Sequence, residues 1–298
     1  MSEALPVFVF SERYNLDLGA HVFPAIKFGH VYRRLRADSR FRGHRFEEPV
    51  AVTREEALLA HSRAYVRDLI DLNLSKRTHR SELPLVREIV DAFFLASGGT
   101  LEAARFAIAH GRGMNLSGGF HHAFRDHAEG FCYLNDVGIA VRVLLKEGRI
   151  KNALVIDLDV HQGNGTARMF RFDRRVFTFS MHEQNNYPIK EKSSLDVGLR
   201  TSCSDDEYNE TLQKSLDRIL DSFSPDIVFY LAGVDVFERD RLGGLSLTKK
   251  GVMQRDAIVR DRFADIPLVT VLAGGYAAED DDTIALHFQT CEVLAGFQ

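Results

Sequence analysis

The chain has few of the features that mark disulfide-rich or membrane-spanning proteins. Its three cysteines, Cys132, Cys203 and Cys291, are odd in number and form no CxxC pair, which predicts reduced thiols in a cytoplasmic compartment. No window approaches the roughly 20 apolar residues of a membrane-spanning helix. The first apolar stretch, residues 5–10, lacks a basic flank, so it does not predict a signal peptide.

The net charge does not indicate a nucleic-acid partner, and no low-complexity sequence indicates a linker. A formal net charge of −4 gives no electrostatic basis for binding nucleic acid, and it favours basic protein substrates only weakly. Internal repeats and Pro/Ser-rich segments are absent from the sequence. With 298 residues, 45% of them hydrophobic, the chain can bury a substantial core, which favours one α/β domain over residues 1–298.

Several apolar runs predict the central strands of an open, mostly parallel α/β sheet with helices on both faces. Each run ends in small residues or in side chains that can bind metal. Because ligands bind outside the carboxyl ends of the strands in such sheets, we expect a site at that edge. The runs begin at residues 115, 153, 226 and 268.

One run leads directly into three potential metal ligands, Asp157, Asp159 and His161. At about 3.3 Å per residue, an extended chain separates Asp157 from His161 by roughly 13 Å, too far to share an ion bonded at about 2 Å. We therefore expect Asp159 and His161 to be ligands, with Asp157 supporting them. Asp235, at another strand end, can supply a third ligand for an open catalytic zinc site. The alternative for each is a loop residue or helix cap.

Tandem histidines and a tyrosine follow two other strand ends. His121 and His122 come after Gly118-Gly119, and Tyr276 comes after Gly274-Gly275. Adjacent side chains on a strand face opposite ways, so a turn must aim both histidines into one site. The alternative for each side chain is an ordinary core or surface position.

These segments together resemble the zinc-dependent histone deacetylases, a family that includes acetylpolyamine deacetylase-like proteins. The resemblance extends from about Val7 to Tyr276, and within the family the chain is most similar to class IV. The shared motifs are Gly118–His122, Gly130–Asp136, Asp157–Gly165 and Gly274–Tyr276, and the class IV features are Ser11–Asn15, His161–Gly165 and Gly233–Ser246.

The resemblance implies the arginase/deacetylase fold and a lysine deacetylase activity that depends on Zn²⁺, or on Fe²⁺ in its place. It also implies a structural K⁺ or Na⁺ site and a narrow apolar slot for the substrate. The implied residues are Asp159, His161 and Asp235 as metal ligands; His121, His122 and Tyr276 as catalytic groups, with Asp157 and Asn164 beside the histidines; Asp157 and Ser180 at the monovalent cation; and Gly130, Phe131, Tyr187, Gly274 and Gly275 along the slot.

The two histidines are expected to differ in role. We expect His122 to act as general base, while His121, held by Asp157, serves as an electrostatic stabiliser or as the acid that protonates the leaving amine. Class I relatives carry an acidic residue at the position of Asn164. A neutral amide orients the ring without raising its pKa much, so we expect His122 to be neutral at rest.

Three functions are compatible with these patterns. The first is a deacylase acting on acylated lysine in proteins or peptides. The second is a hydrolase of the same fold that acts on a small acylated amine or a guanidinium compound, although guanidinium hydrolysis requires a two-metal carboxylate cluster that the tandem histidines replace here. The third is a non-catalytic acyl-lysine-binding protein, which would not need the catalytic groups together.

Local signals predict the boundaries of several helices. Thr53 and Glu56 form a capping box, and Thr248 caps a later helix. Ser97–Thr100 is expected to interrupt the helical region over residues 85–110, with Thr100 capping its second half. Other expected elements are helices over residues 64–72, 135–147 and 206–220, a strand over 176–180 and a solvated helix start at 279–282. The resemblance implies that the loop over 14–28 lines the substrate entrance; the alternative is an ordinary surface loop with buried anchors.

Overall fold

A computed structural model describes residues 5–19 and 21–297 of the chain. Its centre is a sheet of parallel strands, which in chain order are β1 (Val7–Val9), β2 (Arg45–Glu47), β3 (Arg112–Asn115), β4 (Ala153–Asp157), β5 (Val176–Glu183), β6 (Leu195–Leu199), β7 (Ile227–Leu231) and β8 (Leu268–Val271). Their order across the sheet is β2-β1-β3-β8-β7-β4-β5-β6. All the pairings between these strands are parallel.

The helices form two groups around this sheet. They are α1 (Lys27–Ala37), α2 (Arg54–Ala60), α3 (Arg63–Ile70), α4 (Arg87–His110), α5 (Asp136–Lys146), α6 (Asn164–Phe170), α7 (Asp205–Leu220), α8 (Lys249–Arg262) and α9 (Asp280–Leu294). In one group, α4 packs on β1, β3 and β8 and contacts α5; in the other, α1, α9, α8 and α7 contact one another in turn. The prediction of an open α/β sheet with helices on both faces is confirmed.

The register of the strands places their carboxyl ends at one level. Asp157 in β4 pairs with Leu231 in β7 and with Ser180 in β5. Leu231 in turn pairs with Val271 in β8, and Val271 pairs with Asn115 in β3. Both β4 and β7 are buried along their whole length, as expected of strands covered on both faces. The loops that follow these strands therefore leave the sheet side by side.

The predicted break at Ser97–Thr100 is wrong, because α4 is continuous through it. The glycines in this segment allow close packing: a Cβ on Gly98 would overlap the carbonyl oxygen of Val50, and one on Gly99 would overlap the Tyr14 hydroxyl. Thr100 does not cap a helix; its hydroxyl donates to the Asp136 carboxylate at 2.6 Å. Close tertiary packing, rather than an interruption of the helix, accounts for these small residues.

Two of the predicted helix caps are confirmed. The Thr53 hydroxyl accepts from the backbone N–H of Glu56 at 3.1 Å, while the Glu56 carboxylate accepts from the Thr53 N–H at 2.7 Å. The Thr248 hydroxyl accepts from the Gly251 N–H at 3.1 Å and begins α8. Both helices thus begin where a side chain satisfies an otherwise unpaired backbone donor.

Other boundaries differ from expectation. The helix expected over residues 64–72 is α3, which ends at Ile70, and Leu72 has a left-handed φ of 53°. The strand expected over 176–180 continues to Glu183, and the entrance loop over 14–28 ends where α1 begins at Lys27.

The acidic segment at the start of α9 is only partly solvated. Asp282 is buried and forms ion pairs with Arg239 at 2.8 Å and with Lys249 at 2.6 Å. The three cysteines are free and buried. Within residues 5–19 and 21–297, no helix is both long enough and apolar enough to span a membrane.

We predict that Gly98→Ala destabilises the protein. Alanine has the higher helix propensity, by about 1 kcal/mol, so any loss of stability must come from overlap with the Val50 carbonyl, for which overpacking costs about 1–3 kcal/mol. The free energy of unfolding from denaturant titration measures this loss. Gly43→Ala is the matched control, since its Cβ would contact only Leu5 Cδ1, at 3.6 Å. Equal stability of the two variants would contradict the packing role of Gly98.

Candidate active site

Asp159, His161 and Asp235 lie together beyond the carboxyl ends of β4 and β7. All three are buried, and one potential ligand atom from each lies within 4.8 Å of the others. His161 Nδ1 is 3.2 Å from an Asp159 oxygen and 3.4 Å from Asp235 Oδ2. Asp235 Oδ2 accepts no hydrogen bond from any residue that the structure describes. An orphaned, buried carboxylate oxygen beside an aspartate and a histidine fits a divalent cation such as Zn²⁺.

Two glycines allow the backbone to pass close to these carboxylates. A Cβ on Gly233 would lie 2.5 Å from Asp159 Oδ2, and one on Gly274 would overlap Asp235 Oδ2. The Gly274 N–H donates to Asp159 Oδ2 at 2.9 Å, and the Val160 N–H donates to Asp235 Oδ1 at the same distance. Each carboxylate is therefore oriented by a backbone donor.

Burial and the neighbouring charges together shift the pKa values of this cluster. Burial raises the pKa of Asp235 to about 7, and the nearby Asp159 carboxylate acts in the same direction. Burial alone would lower the pKa of His161, but the adjacent carboxylates of Asp159 and Asp235 outweigh it and raise that pKa to about 10. Because a metal-binding histidine must be neutral, a metal ion here would displace a proton.

A turn of left-handed glycines aims His121 and His122 at the same point. Gly118 and Gly119 have φ angles of +82° and +79°, a conformation that glycine adopts without steric cost. The Asp136 carboxylate accepts from two backbone N–H groups of the turn, at 2.8 and 3.0 Å. As a result the Nε2 atoms of the two histidines lie 3.1 Å apart.

The two histidines have opposite electrostatic environments. His121 Nδ1 lies 2.8 Å from Asp157 Oδ2; burial lowers its pKa, but the carboxylates of Asp157 and Asp159 outweigh this and raise it to about 9. His122 Nδ1 lies 2.9 Å from Asn164 Oδ1, and burial, together with His121, lowers the pKa of His122 well below its usual value. At neutral pH the pair therefore holds one proton-donating and one proton-accepting ring.

His121, His122, Asp159 and His161 open into one cavity of about 220 Å³. Of the residues expected along the slot, Gly130, Phe131, Tyr187 and Gly274 line it. Gly275 does not line it: a Cβ there would point at Val234, Thr283 and His287. The Cα of Gly275 therefore faces the protein interior and not the cavity.

Glycine is required at position 130 to bring the cavity wall close to the histidine pair. Gly130 has φ +49°, and a Cβ on it would lie 2.6 Å from His122 Cδ2 and 2.7 Å from the Tyr187 hydroxyl. Phe131, also left-handed at φ +61°, follows it into the wall.

Tyr276 also lines the cavity. Its N–H donates to Asp240 at 2.7 Å, and its ring packs at 6.2 Å from that of Phe131. Burial raises the pKa of Tyr276, as do the carboxylates of Asp159 and Asp235. The phenol is therefore a protonated hydrogen-bond donor.

A family model described as "Histone deacetylase domain" matches residues 21–291. The chain belongs to the histone deacetylase family. It is 39% identical over 271 residues to an uncharacterized protein of Picosynechococcus sp., with 90% of each chain covered. It is 29% identical over 295 residues to histone deacetylase 2 of Arabidopsis thaliana, covering 93% of this chain and 76% of that protein. A probable deacetylase of Archaeoglobus fulgidus is 28% identical over 302 residues, covering 91% of this chain and 81% of its own.

Solved structures share the fold at lower identity. An HDAC homologue from Aquifex aeolicus has a TM-score of 0.83 and 23% identity, covering 98% of this chain and 84% of that one. An HDAC homologue complexed with SAHA has a TM-score of 0.84 and 23% identity, covering 99% and 85%. The predicted family and its fold are thus confirmed.

The residues implied at a monovalent-cation site are adjacent in this member of the family. Ser180 pairs with Asp157 across β4 and β5, and its hydroxyl lies 2.9 Å from His182 Nδ1. Burial lowers the pKa of His182 to about 4, so this ring adds no charge beside Asp157. K⁺ or Na⁺ at this position stays a prediction.

Two residues that support the site from outside the cavity were not identified from the sequence, and neither was Glu82, which lines the cavity. Lys27 is buried behind Tyr276, where its ammonium donates to the Ala273 carbonyl at 2.9 Å and lies 5.5 Å from the Tyr276 ring; burial lowers its pKa to about 8. Glu129 accepts from the Asn164 amide at 2.7 Å. The sequence signals that could have identified these residues are a lysine within an apolar, aromatic segment and an acidic residue directly before Gly130.

We predict that Asp235→Ala or His161→Ala removes bound metal and activity together. A three-ligand site loses affinity steeply when one ligand is removed, and elemental analysis of the purified variants measures the loss. Asp221→Ala, at an exposed acidic residue just after α7, is the control and should keep its metal. Full metal occupancy in either ligand variant would refute the assignment.

Proposed function

We propose that this chain is a metal-dependent amidohydrolase that removes acyl groups from acylated lysine side chains of proteins or peptides. The observation that supports this most strongly is a single cavity onto which Asp159, His161, the His121–His122 pair and Tyr276 all open. Zn²⁺ is the proposed metal, with Fe²⁺ as the alternative. A structural K⁺ or Na⁺ beside Asp157 and Ser180 belongs to the same proposal.

The proposed roles follow from the donors and acceptors at the site. A divalent metal held by Asp159, His161 and Asp235 would supply Lewis-acid polarisation of the amide carbonyl and of the attacking water. The neutral His122 takes the proton of that water at Nε2, because its Nδ1 carries the hydrogen that faces Asn164. In the structure this Nε2 lies 3.1 Å from Nε2 of His121.

The remaining groups act on charge that develops during the reaction. His121, kept protonated by Asp157, stabilises negative charge and can supply the proton that the leaving amine requires. The Tyr276 hydroxyl donates a hydrogen bond to the oxyanion, and its raised pKa keeps it in the donor form.

The cavity walls suit an aliphatic stem with a polar end. Phe23, Phe131 and Tyr187 surround the slot, where each buried methylene of a lysine stem would contribute about 0.8 kcal/mol. Glu82 also lines the cavity, and its carboxylate would attract a basic peptide or a polyamine. The substrate test must therefore include both.

The experiment that tests the function is a substrate panel on one purified preparation loaded with Zn²⁺ or Fe²⁺. Acetyl-lysine peptides, longer acyl-lysine peptides and acetylpolyamines are compared by kcat/KM. We expect acyl-lysine peptides to be the best substrates. A higher kcat/KM for acetylpolyamines would assign the small-amine function instead, and no hydrolysis of any substrate by the metal-loaded protein would refute the proposal.

We predict that Tyr276→Phe lowers kcat by about 10²-fold or more, the usual effect of removing one oxyanion donor. Metal content and the affinity for a non-hydrolysed peptide should not change, because the phenyl ring stays in the wall. Tyr32→Phe, at a tyrosine that stacks on Phe10 outside the cavity, is the control. An unchanged kcat in Tyr276→Phe would leave this residue as a packing group only.

We predict that the acidic limb of kcat/KM lies at or below pH 6.5, roughly the unperturbed pKa of histidine. The general base must be neutral, and the lowered pKa of His122 means that it is protonated only when the pH falls below its usual titration range. Activity should therefore persist as the pH falls through 7. Metal content is measured at each pH, because loss of metal also produces an acidic limb. A limb well above this value with metal retained would contradict the assignment of His122.

A further inference from the structure

We propose that Glu129 is a positioning residue that orients the amide of Asn164 and, through it, fixes the tautomer of His122. The inference rests on the proposed role of His122 as general base. The Glu129 side chain is only 10% exposed, and one of its oxygens accepts from Asn164 Nδ2 at 2.7 Å. Its other oxygen forms an ion pair with Arg80.

Donor and acceptor chemistry determines the direction of the chain of hydrogen bonds. A carboxylate can only accept, so the NH₂ of Asn164 must face Glu129 and the amide oxygen must face His122. That oxygen lies 2.9 Å from His122 Nδ1 and also accepts from the Gly165 N–H at 3.0 Å. Because an amide oxygen cannot donate, His122 must carry its hydrogen on Nδ1. Its Nε2, which lies 3.1 Å from His121 Nε2, is then the unprotonated nitrogen.

Without Glu129 the orientation of the Asn164 amide would depend on the Gly165 N–H, with no acceptor opposite its NH₂ group. The two ends of an asparagine amide have nearly the same shape, so a flipped amide could donate to His122 Nδ1 and favour the Nε2–H tautomer. That tautomer cannot accept a proton at the nitrogen that faces the cavity. The Glu129 carboxylate excludes the flip, since the flipped amide would place oxygen against oxygen.

Glu129 is itself held rigidly. Its N–H donates to the Cys132 carbonyl at 3.3 Å, and the Cys132 N–H donates back to the Glu129 carbonyl at 3.0 Å. This is the turn that carries Gly130 and Phe131 into the cavity wall. Glu129 is not one of the described residues that line the cavity. It would therefore act on His122 only through Asn164.

The first variant is Glu129→Met, which removes both acceptor oxygens and keeps the length of the side chain. We expect kcat to fall about 10- to 100-fold, the usual range for a residue that orients a catalytic group, with KM and metal content unchanged. Long-range ¹H–¹⁵N spectra of histidine-labelled protein, with the signals assigned through His122→Ala, should show that the Nδ1–H form of His122 is no longer dominant. Glu210→Gln, which removes a charge at an exposed residue paired with Lys214, is the control and should change neither.

A second pair of variants exchanges donor and acceptor. Asn164→Asp alone places a carboxylate against Glu129 where a donor stood at 2.7 Å, and should lower kcat. In the double variant Asn164→Asp with Glu129→Gln, the glutamine amide donates to the aspartate, which still accepts from His122 Nδ1. We expect this double variant to keep the Nδ1–H tautomer, which an acceptor at position 164 requires, and to recover about tenfold or more in kcat over Asn164→Asp.

The outcomes separate this inference from the proposed function. The positioning role would be overturned if Glu129→Met kept the wild-type tautomer and kcat. It would also be overturned if the double variant were no more active than Asn164→Asp. If Glu129→Met does not fold, the comparison of the double variant with Asn164→Asp tests the role instead. The spectra need no substrate. An inactive wild type whose tautomer still depends on Glu129 would therefore refute the proposed function alone, whereas an active wild type with an unresponsive tautomer would refute the positioning role alone.

Discussion

Buried carboxylates at one edge of the sheet determine the arrangement of the whole site. Asp136, Asp157, Asp159 and Asp235 are almost completely buried, and buried charge is tolerated only when it is paired or hydrogen-bonded. Asp136 therefore takes the backbone donors of the Gly118-Gly119 turn, and Asp157 takes His121. Asp159 and Asp235 face each other across His161, and a bound cation would offset the repulsion between the two carboxylates.

The same principle separates the two histidines, which are chemically identical and adjacent in sequence. His121 faces the carboxylate of Asp157, whereas His122 faces the neutral amide of Asn164. Their pKa values therefore move in opposite directions from a common starting value. Such a division of two titratable groups into acid and base is typical of a site that moves protons near neutral pH.

Close approach of the backbone completes the cavity. Gly130, Gly233 and Gly274 lie where a single Cβ would collide with His122, Asp159 or Asp235. The rings of Phe23, Phe131 and Tyr187 form apolar walls, and Glu82 adds a carboxylate to the lining of the cavity. Charge is thus concentrated on the inner side of a slot whose sides are largely apolar, which strengthens the electrostatic interactions within it.

The sequence by itself determined the fold class and the family, because unbroken apolar runs ending in glycine, aspartate and histidine are local patterns. It also predicted different roles for Asp157 and Asp159, because extended-chain geometry limits which side chains can share an ion. Only the tertiary structure decided that Gly98 admits a neighbouring backbone rather than ending a helix, that Gly275 faces the interior and that Glu129 meets Asn164. A glycine has the same sequence signature whether it breaks a helix or permits close packing. A contact between residues 35 positions apart in sequence depends on how loops from different strands meet, and no local pattern encodes that.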